Sequence, residues 1–182
     1  MNIGFVFGII CLILLACILW YISVYNNLKR ASIKIDEADS GIDIALTKRY
    51  DVITKMVEVV KGYAKHEKET LFEVINLRKN MTLGEKSQEN DKMTHNLDKI
   101  NVVVESYPNL KADENFKILQ KTIIDVEEHL QAARRMYNSN VSIYNQMIEV
   151  FPTNIVAKMN NMVRRDFFEA SEVKKENVKI KL

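Results

Sequence analysis

From Ile3 to Val24 the chain carries no charged side chain, and the run closes on Trp20-Tyr21-Ile22. At 1.5 Å rise per residue, about 22 helical residues cross the ~30 Å hydrocarbon core of a bilayer. A leading segment of this kind constrains the rest of the chain more than any motif downstream. Whatever follows Asn26 is expected to work beside a membrane. Two other readings compete with an uncleaved span. A cleaved signal peptide needs a positive start and a shorter apolar core. A lipoprotein signal needs a small residue before a cysteine, and Leu15-Ala16-Cys17 comes close. No Lys or Arg precedes Cys17, and the apolar run continues beyond it. The single span is preferred, with lipidation at Cys17 as the minority alternative.

Charge asymmetry predicts orientation. Lys29, Arg30 and Lys34 follow the span closely, and positive flanks stay on the cytoplasmic side. The N-terminus is therefore expected outside, with the body in the cytoplasm. Trp20, Tyr21 and Tyr25 suit the aromatic belt at the inner interface. Both cysteines, Cys11 and Cys17, lie in the span. The body thus has no disulfide framework and no cysteine-based zinc site.

Across the chain 26 Lys and Arg face 24 Asp and Glu. The signs are interspersed, which argues against a nucleic-acid surface. Only 5 Gly and 2 Pro occur, too few for the turns of a sheet-rich domain, so the fold class is all-α. The expected organisation is an anchor over residues 1–25 and one helical-bundle domain over 26–182.

Spacing predicts four helices, over about 26–79, 88–106, 113–150 and 153–160. In the first, Ile35, Ala38, Ile42, Ala45, Ile53, Met56, Val60 and Tyr63 recur every three or four residues, followed by Leu71, Val74 and Leu77. Such a helix can run straight out of the span. The polar stretch Asn80–Asn90, with Gly84, reads as a loop. The second helix, with Met93, Leu97, Ile100 and Val104, stops before Pro108. The third has the cleanest seam: Phe116, Leu119, Ile123, Val126, Leu130, Ala133, Tyr137, Asn140, Tyr144, Met147 and Phe151 alternate steps of three and four. Asp113 is its expected N-cap, and Thr153 that of the short fourth helix. Phe167-Phe168 is expected to pack back. Val178, Ile180 and Leu182 alternate with lysines and suggest an extended tail. Short connections predict antiparallel packing of the first three helices.

Little in the chain points to catalysis. His66-Glu67 is not followed by the second histidine of a metalloprotease helix, and no Glu-x-x-His occurs. His66, His95 and His129 fall on three predicted helices among Lys, Glu and Gln, where wet faces are more common than zinc ligands. Asp51, Glu58, Glu67 and the Glu127-Glu128-His129 run have the wrong spacing or face for a di-metal site. No catalytic residue, cofactor or metal is assigned. The informative polar residues lie in the seam. Arg49 takes an apolar slot of the first helix, and Asn140, flanked by Tyr137 and Tyr144, takes one of the third. They form either a register-fixing polar layer, the preferred reading, or a pocket or partner groove.

The residues also carry a resemblance. Tyr25-Asn26-Asn27-Leu28, Ile42-Asp43, Arg49-Tyr50-Asp51-Val52-Ile53 and the long block Val57–Leu71 resemble the LemA family of bacterial membrane proteins. So do Tyr107–Ala112, Glu114-Asn115-Phe116, Ala133-Arg134-Arg135, Tyr137-Asn138, Tyr144-Asn145, Phe151–Ala157 and Phe168-Glu169-Ala170, in order along nearly the whole chain. The resemblance implies one N-terminal span and a body like an antiparallel four-helix bundle, and it brings no catalytic residues or cofactor. Asp39, Gly41 and Thr54 depart from the family pattern of Trp, Gln and Pro. Without the proline the first helix should run straighter. The expected function is a non-enzymatic scaffold or adaptor tethered to the bilayer and engaging an unknown protein partner. The alternative is a ligand or envelope-signal sensor built on Tyr137, Asn140 and Tyr144. Homo-oligomerisation through Gly4-x-x-x-Gly8 stays open.

Overall fold

The computed structural model describes residues 3–63 and 72–169. Five helices occur among them: α1 (Ile3–Tyr63), α2 (Leu83–Ser106), α3 (Pro108–Ala112), α4 (Glu114–Glu149) and α5 (Thr153–Met159). The protein is all-α, a helical bundle with a long apolar helix at its N-terminus. It divides into two units. One comprises Met1–Asp39 with Met136–Phe167, the other Ser40–Arg135 with Phe168–Leu182.

In the first unit, the leading turns of α1 are apolar and unburied. From Val24 the helix acquires an inside: Val24, Leu28, Ala31, Ile35 and Ala38 are buried at steps of three and four. The positions between them are mostly polar or charged, with Ile33 exposed. The α4 end of this unit runs antiparallel to α1, with Asn140 Nδ2 donating to the Lys34 carbonyl at 2.9 Å. α5 turns Val156 and Ala157 inward.

The α4 seam drifts along its length. Phe116, Ile123, Val126, Leu130, Tyr137 and Tyr144 are buried as the spacing predicts. Beyond Tyr137 the inward positions become Val141, Asn145 and Ile148, while Asn140 and Met147 are only half-buried and Phe151 is exposed. A straight α-helix loses about 20° per heptad against a strict seven-residue repeat. After three to four heptads the buried face has moved nearly one residue toward the C-terminus.

The second unit holds one apolar core. Val52, Ile53, Met56 and Val60 of α1 meet Met93, Ile100, Val103 and Val104 of α2, Leu110 of α3, and Phe116, Ile123 and Val126 of α4. Three expectations change here. α1 ends its described course at Tyr63, and residues 73–78 are extended instead of helical; 64–71 lie outside the described residues. Val74 is exposed, while Ile75 and Leu77 turn toward the core, a period of two. α2 begins at Leu83, inside the stretch read as a loop. Its signal is a capping box: Glu85 N–H donates to Thr82 Oγ1 at 3.3 Å, and Thr82 N–H to Glu85 Oε2 at 2.8 Å.

The third change is direction. Asp43 pairs with Lys86, and Arg49 with Asn90 and Thr94, so numbers rise together along both helices. α2 therefore runs parallel to α1. The extended 73–78 segment makes this possible by carrying the chain back along α2. α4 is antiparallel to α1, as Arg49–Glu127 and Tyr63–Asp113 show.

Smaller features follow local chemistry. Asp113 caps α4 as expected, accepting from Phe116 N–H at 2.9 Å. Thr153 does not cap α5. It is the first helical residue, and its hydroxyl donates back to the Met147 and Val150 carbonyls at the end of α4. Of the pair expected to pack back, Phe168 is buried and Phe167 is exposed. The alternating tail at Val178, Ile180 and Leu182 lies outside the described residues.

Candidate functional site

The structure divides the four singled-out residues between the units: Arg49 in one, Tyr137, Asn140 and Tyr144 in the other. Each group is a site of its own.

Arg49 faces inward because the stripe of α1 puts it there, one turn from Leu46, Val52 and Ile53. At 2% exposure it needs partners for nearly every donor. α2 supplies Asn90, whose carbonyl accepts from Nη1 at 2.9 Å and whose side-chain oxygen accepts at 2.5 Å. Thr94 Oγ1 takes Nη2 at 3.1 Å. α4 supplies Glu127, with Oε2 2.9 Å from Arg49 Nε. That approach is not aligned as a hydrogen bond, so the pair is held by charge alone. Burial lowers the guanidinium's pKa, opposed by Glu127, Asp91 and Asp98. Arg134 adds a second cation two turns along α4. Its Nε and Nη2 are buried without a hydrogen-bond partner among the described residues. Its guanidinium lies 4.7 Å from the centroid of the Phe168 ring. Burial lowers its pKa too, opposed by Glu127 and aided by Arg49.

In the other unit the polar layer is spent on the chain itself. Tyr137 Oη donates to the Asp166 carbonyl at 3.2 Å. Asn140 grips α1 as described. Asn145, which the periodicity did not single out, is buried and makes a reciprocal pair with Arg165: Nδ2 to its carbonyl at 2.9 Å, and its N–H to Oδ1 at 3.0 Å. These bonds satisfy the main chain of a helix-free segment against α4. Burial raises the Tyr137 pKa, with Asp39 adding and Arg165 opposing. Burial also raises that of Tyr144, again against Arg165.

Sequence reasoning missed the polar inner face of α2. Lys86, Glu89, Asn90 and Asn96 are all buried. Lys86 Nζ reaches Asp43 at 2.7 Å. Asn96 brackets Glu73, accepting from its N–H at 2.8 Å and donating to its carbonyl at 2.9 Å. Glu89 accepts from Asn76 N–H at 2.9 Å and pairs with Lys92 at 2.8 Å. The extended segment thus finds its partners on a helix face instead of a second strand. The available signal was Thr82-x-x-Glu85, which would have started α2 early enough to expose this face.

Glu89 yields a pH prediction. Burial pushes its carboxyl up, but the Lys92 ammonium and the Asn76 N–H outweigh it and hold the pKa below the usual glutamate range. A folded pKa below the unfolded one adds stability at neutral pH that is lost as pH falls through the folded value. The Glu89→Gln variant should lose less stability than the parent between pH 7 and below about pH 4.3. Urea midpoints across that range measure it; an unchanged acid limb would deny Glu89 this role.

Two of the three histidines fall among the described residues, on α2 and α4. His95 is exposed, with Nε2 3.8 Å from a Glu73 carboxylate oxygen. His129 is exposed, and His66, with Glu67, lies outside the described residues. Asp51 is exposed and Glu58 lies on the same solvated side of α1.

Comparison with known proteins adds a lineage to this geometry. The LemA family profile matches residues 38–182. The chain is 29% identical to Protein LemA of Metamycoplasma hominis over 163 residues, covering 87% of this chain and 74% of that one. It is 27% identical to magnetosome protein MamQ 2 of Paramagnetospirillum magneticum over 73 residues, 40% of this chain and 27% of that protein. With MamQ of Magnetospirillum gryphiswaldense it is 24% identical over 72 residues, covering 26% of that protein.

Proposed function

Because this chain belongs to the LemA family and is a membrane-associated helical protein, we propose that it is a non-enzymatic scaffold. In this reading it is tethered by α1 in the cell membrane and engages a protein partner on the cytoplasmic side. The observation that carries the reading is α1. One uninterrupted helix bears the unburied apolar turns and then buries Leu28 and Ile35 in the first unit. Anchor and first unit share an element, so that unit is held at the bilayer without a flexible linker. The orientation rests on Lys29, Arg30 and Lys34 after the span. Arg49, Tyr137, Asn140 and Asn145 serve as fastenings within their units, which leaves outer surfaces for recognition.

Crosslinking in intact cells from photoreactive groups at exposed positions of α4 tests the reading. Partner proteins should be recovered with the chain; recovery of the chain alone would count against a scaffold. Orientation is tested by an impermeant thiol reagent against Gln88→Cys, exposed on α2. Labelling in intact cells would reverse the proposed topology. Cys17→Ser should leave the protein in the membrane fraction at the parent level, since α1 needs no lipid on Cys17. Release of that variant would favour the lipoprotein alternative.

A further inference from the structure

The first unit leaves an apolar corner uncovered where α4 gives way to α5. Phe151 is 79% exposed, Met159 67% and Val163 71%, and Val150 and Ile155 are exposed beside them. α5 is two-sided: Val156 and Ala157 are buried while Ile155 and Met159, four residues apart, share the outer face. Five large apolar side chains grouped in this way mark a contact surface.

The geometry fixes the height of this corner. The Asn140 amide meets the Lys34 carbonyl, and α4 runs antiparallel to α1 from there. Nine residues farther along α4 is Glu149, and nine residues back along α1 is Tyr25. Asn160, just past α5, donates from Nδ2 to Tyr21 Oη at 3.0 Å. The corner is therefore pinned between the levels of Tyr25 and Tyr21, whose rings stack with centroids 6.5 Å apart. That is where the apolar run ends, behind Trp20, and where interfacial aromatics sit.

We propose that this corner is a second membrane contact, with Val150, Phe151, Ile155, Met159 and Val163 entering the headgroup–acyl boundary of the bilayer that α1 crosses. The inference rests on α1 spanning the membrane. Given that span, lipid already occupies the height of the corner, and any other occupant would have to displace it. The corner has the chemistry of an interfacial helix: an apolar face at the acyl boundary and cations beside it. Lys158 on α5 and Lys29 and Arg30 on α1 are exposed at neighbouring levels and suit anionic headgroups. The first unit is then held at two points, which restricts its tilt against the membrane.

The test uses the full chain with Cys11→Ser and Cys17→Ser in vesicles of phosphatidylethanolamine and phosphatidylglycerol. Single cysteines at Ile155→Cys, Met159→Cys, Ile13→Cys and Ile118→Cys carry an environment-sensitive fluorophore, quenched by lipid-borne nitroxide or by aqueous iodide. The probes at 155 and 159 should emit to the blue of the one at 118, with nitroxide quenching above and iodide quenching below it. Loss of nitroxide quenching at 13 would overturn the span on which the proposal rests. Nitroxide quenching at 13 with iodide quenching at 155 and 159 would overturn the second contact alone. Shielding of 155 and 159 from both quenchers would mean that protein covers the corner, and would overturn it equally.

Discussion

Replacing Leu12 and Leu15 together with arginine should convert the protein from one that resists alkaline carbonate extraction into one that is released by it. Both leucines are fully apolar and exposed on α1, with no protein packed against them. At the centre of a spanning helix, leucine favours insertion by about 0.5 kcal/mol and arginine opposes it by about 3 kcal/mol. Two such changes amount to about 7 kcal/mol, beyond what snorkelling could recover so near the middle. The folded body should persist, because its core starts at Val24. Retention of the variant in carbonate-washed membranes would show that something other than α1 holds the chain there.

The second large effect is expected at Arg49. Arg49→Ala should cost about 3 kcal/mol or more, because it empties a volume between three helices and leaves Asn90 Oδ1 without its donor. Arg49→Met keeps most of the volume and should cost distinctly less. Asymmetry within the ion pair sharpens the case. Arg49 is buried, whereas the Glu127 side chain is 39% exposed. Water can solvate Glu127 when Arg49 is gone, but it cannot reach Arg49 when Glu127 is gone. Glu127→Gln should therefore destabilise by about 2 kcal/mol despite being the milder substitution. Urea unfolding of the three variants gives the order. A loss in Arg49→Met equal to that in Arg49→Ala would mean that the hydrogen bonds, not the packing, dominate.

Periodicity made the long helices legible, down to the inward turn of Arg49. The apolar stripe of α1 is buried from Val24 to Val60, and burial on one helix face is what a three-and-four spacing reports. It misled where two periods coexisted. Val74 and Leu77 extended the helical pattern, but Ile75 and Leu77 fit an extended chain as well, and tertiary partners decided the matter. Those partners, Glu89 and Asn96, are polar residues whose inward direction no hydropathy pattern can show. The same limit hid Asn145, since it faces inward to serve the backbone around Arg165. At Asn140 the heptad count outran the true turn of the helix, so the residue lies at the edge of the interface instead of its centre.

The shared direction of α1 and α2 also bears on how the molecule acquires its fold. Two helices joined as a hairpin can zip together from their common turn, closing only a few residues at a time. Here the partner of Asp43 is Lys86, and the intervening forty-odd residues must be looped before that pair can meet. Chain closure of that length is an entropic toll levied ahead of any reward. Assembly speed should then depend on how readily the 73–78 strip lies down on α2, more than on how willingly either helix coils.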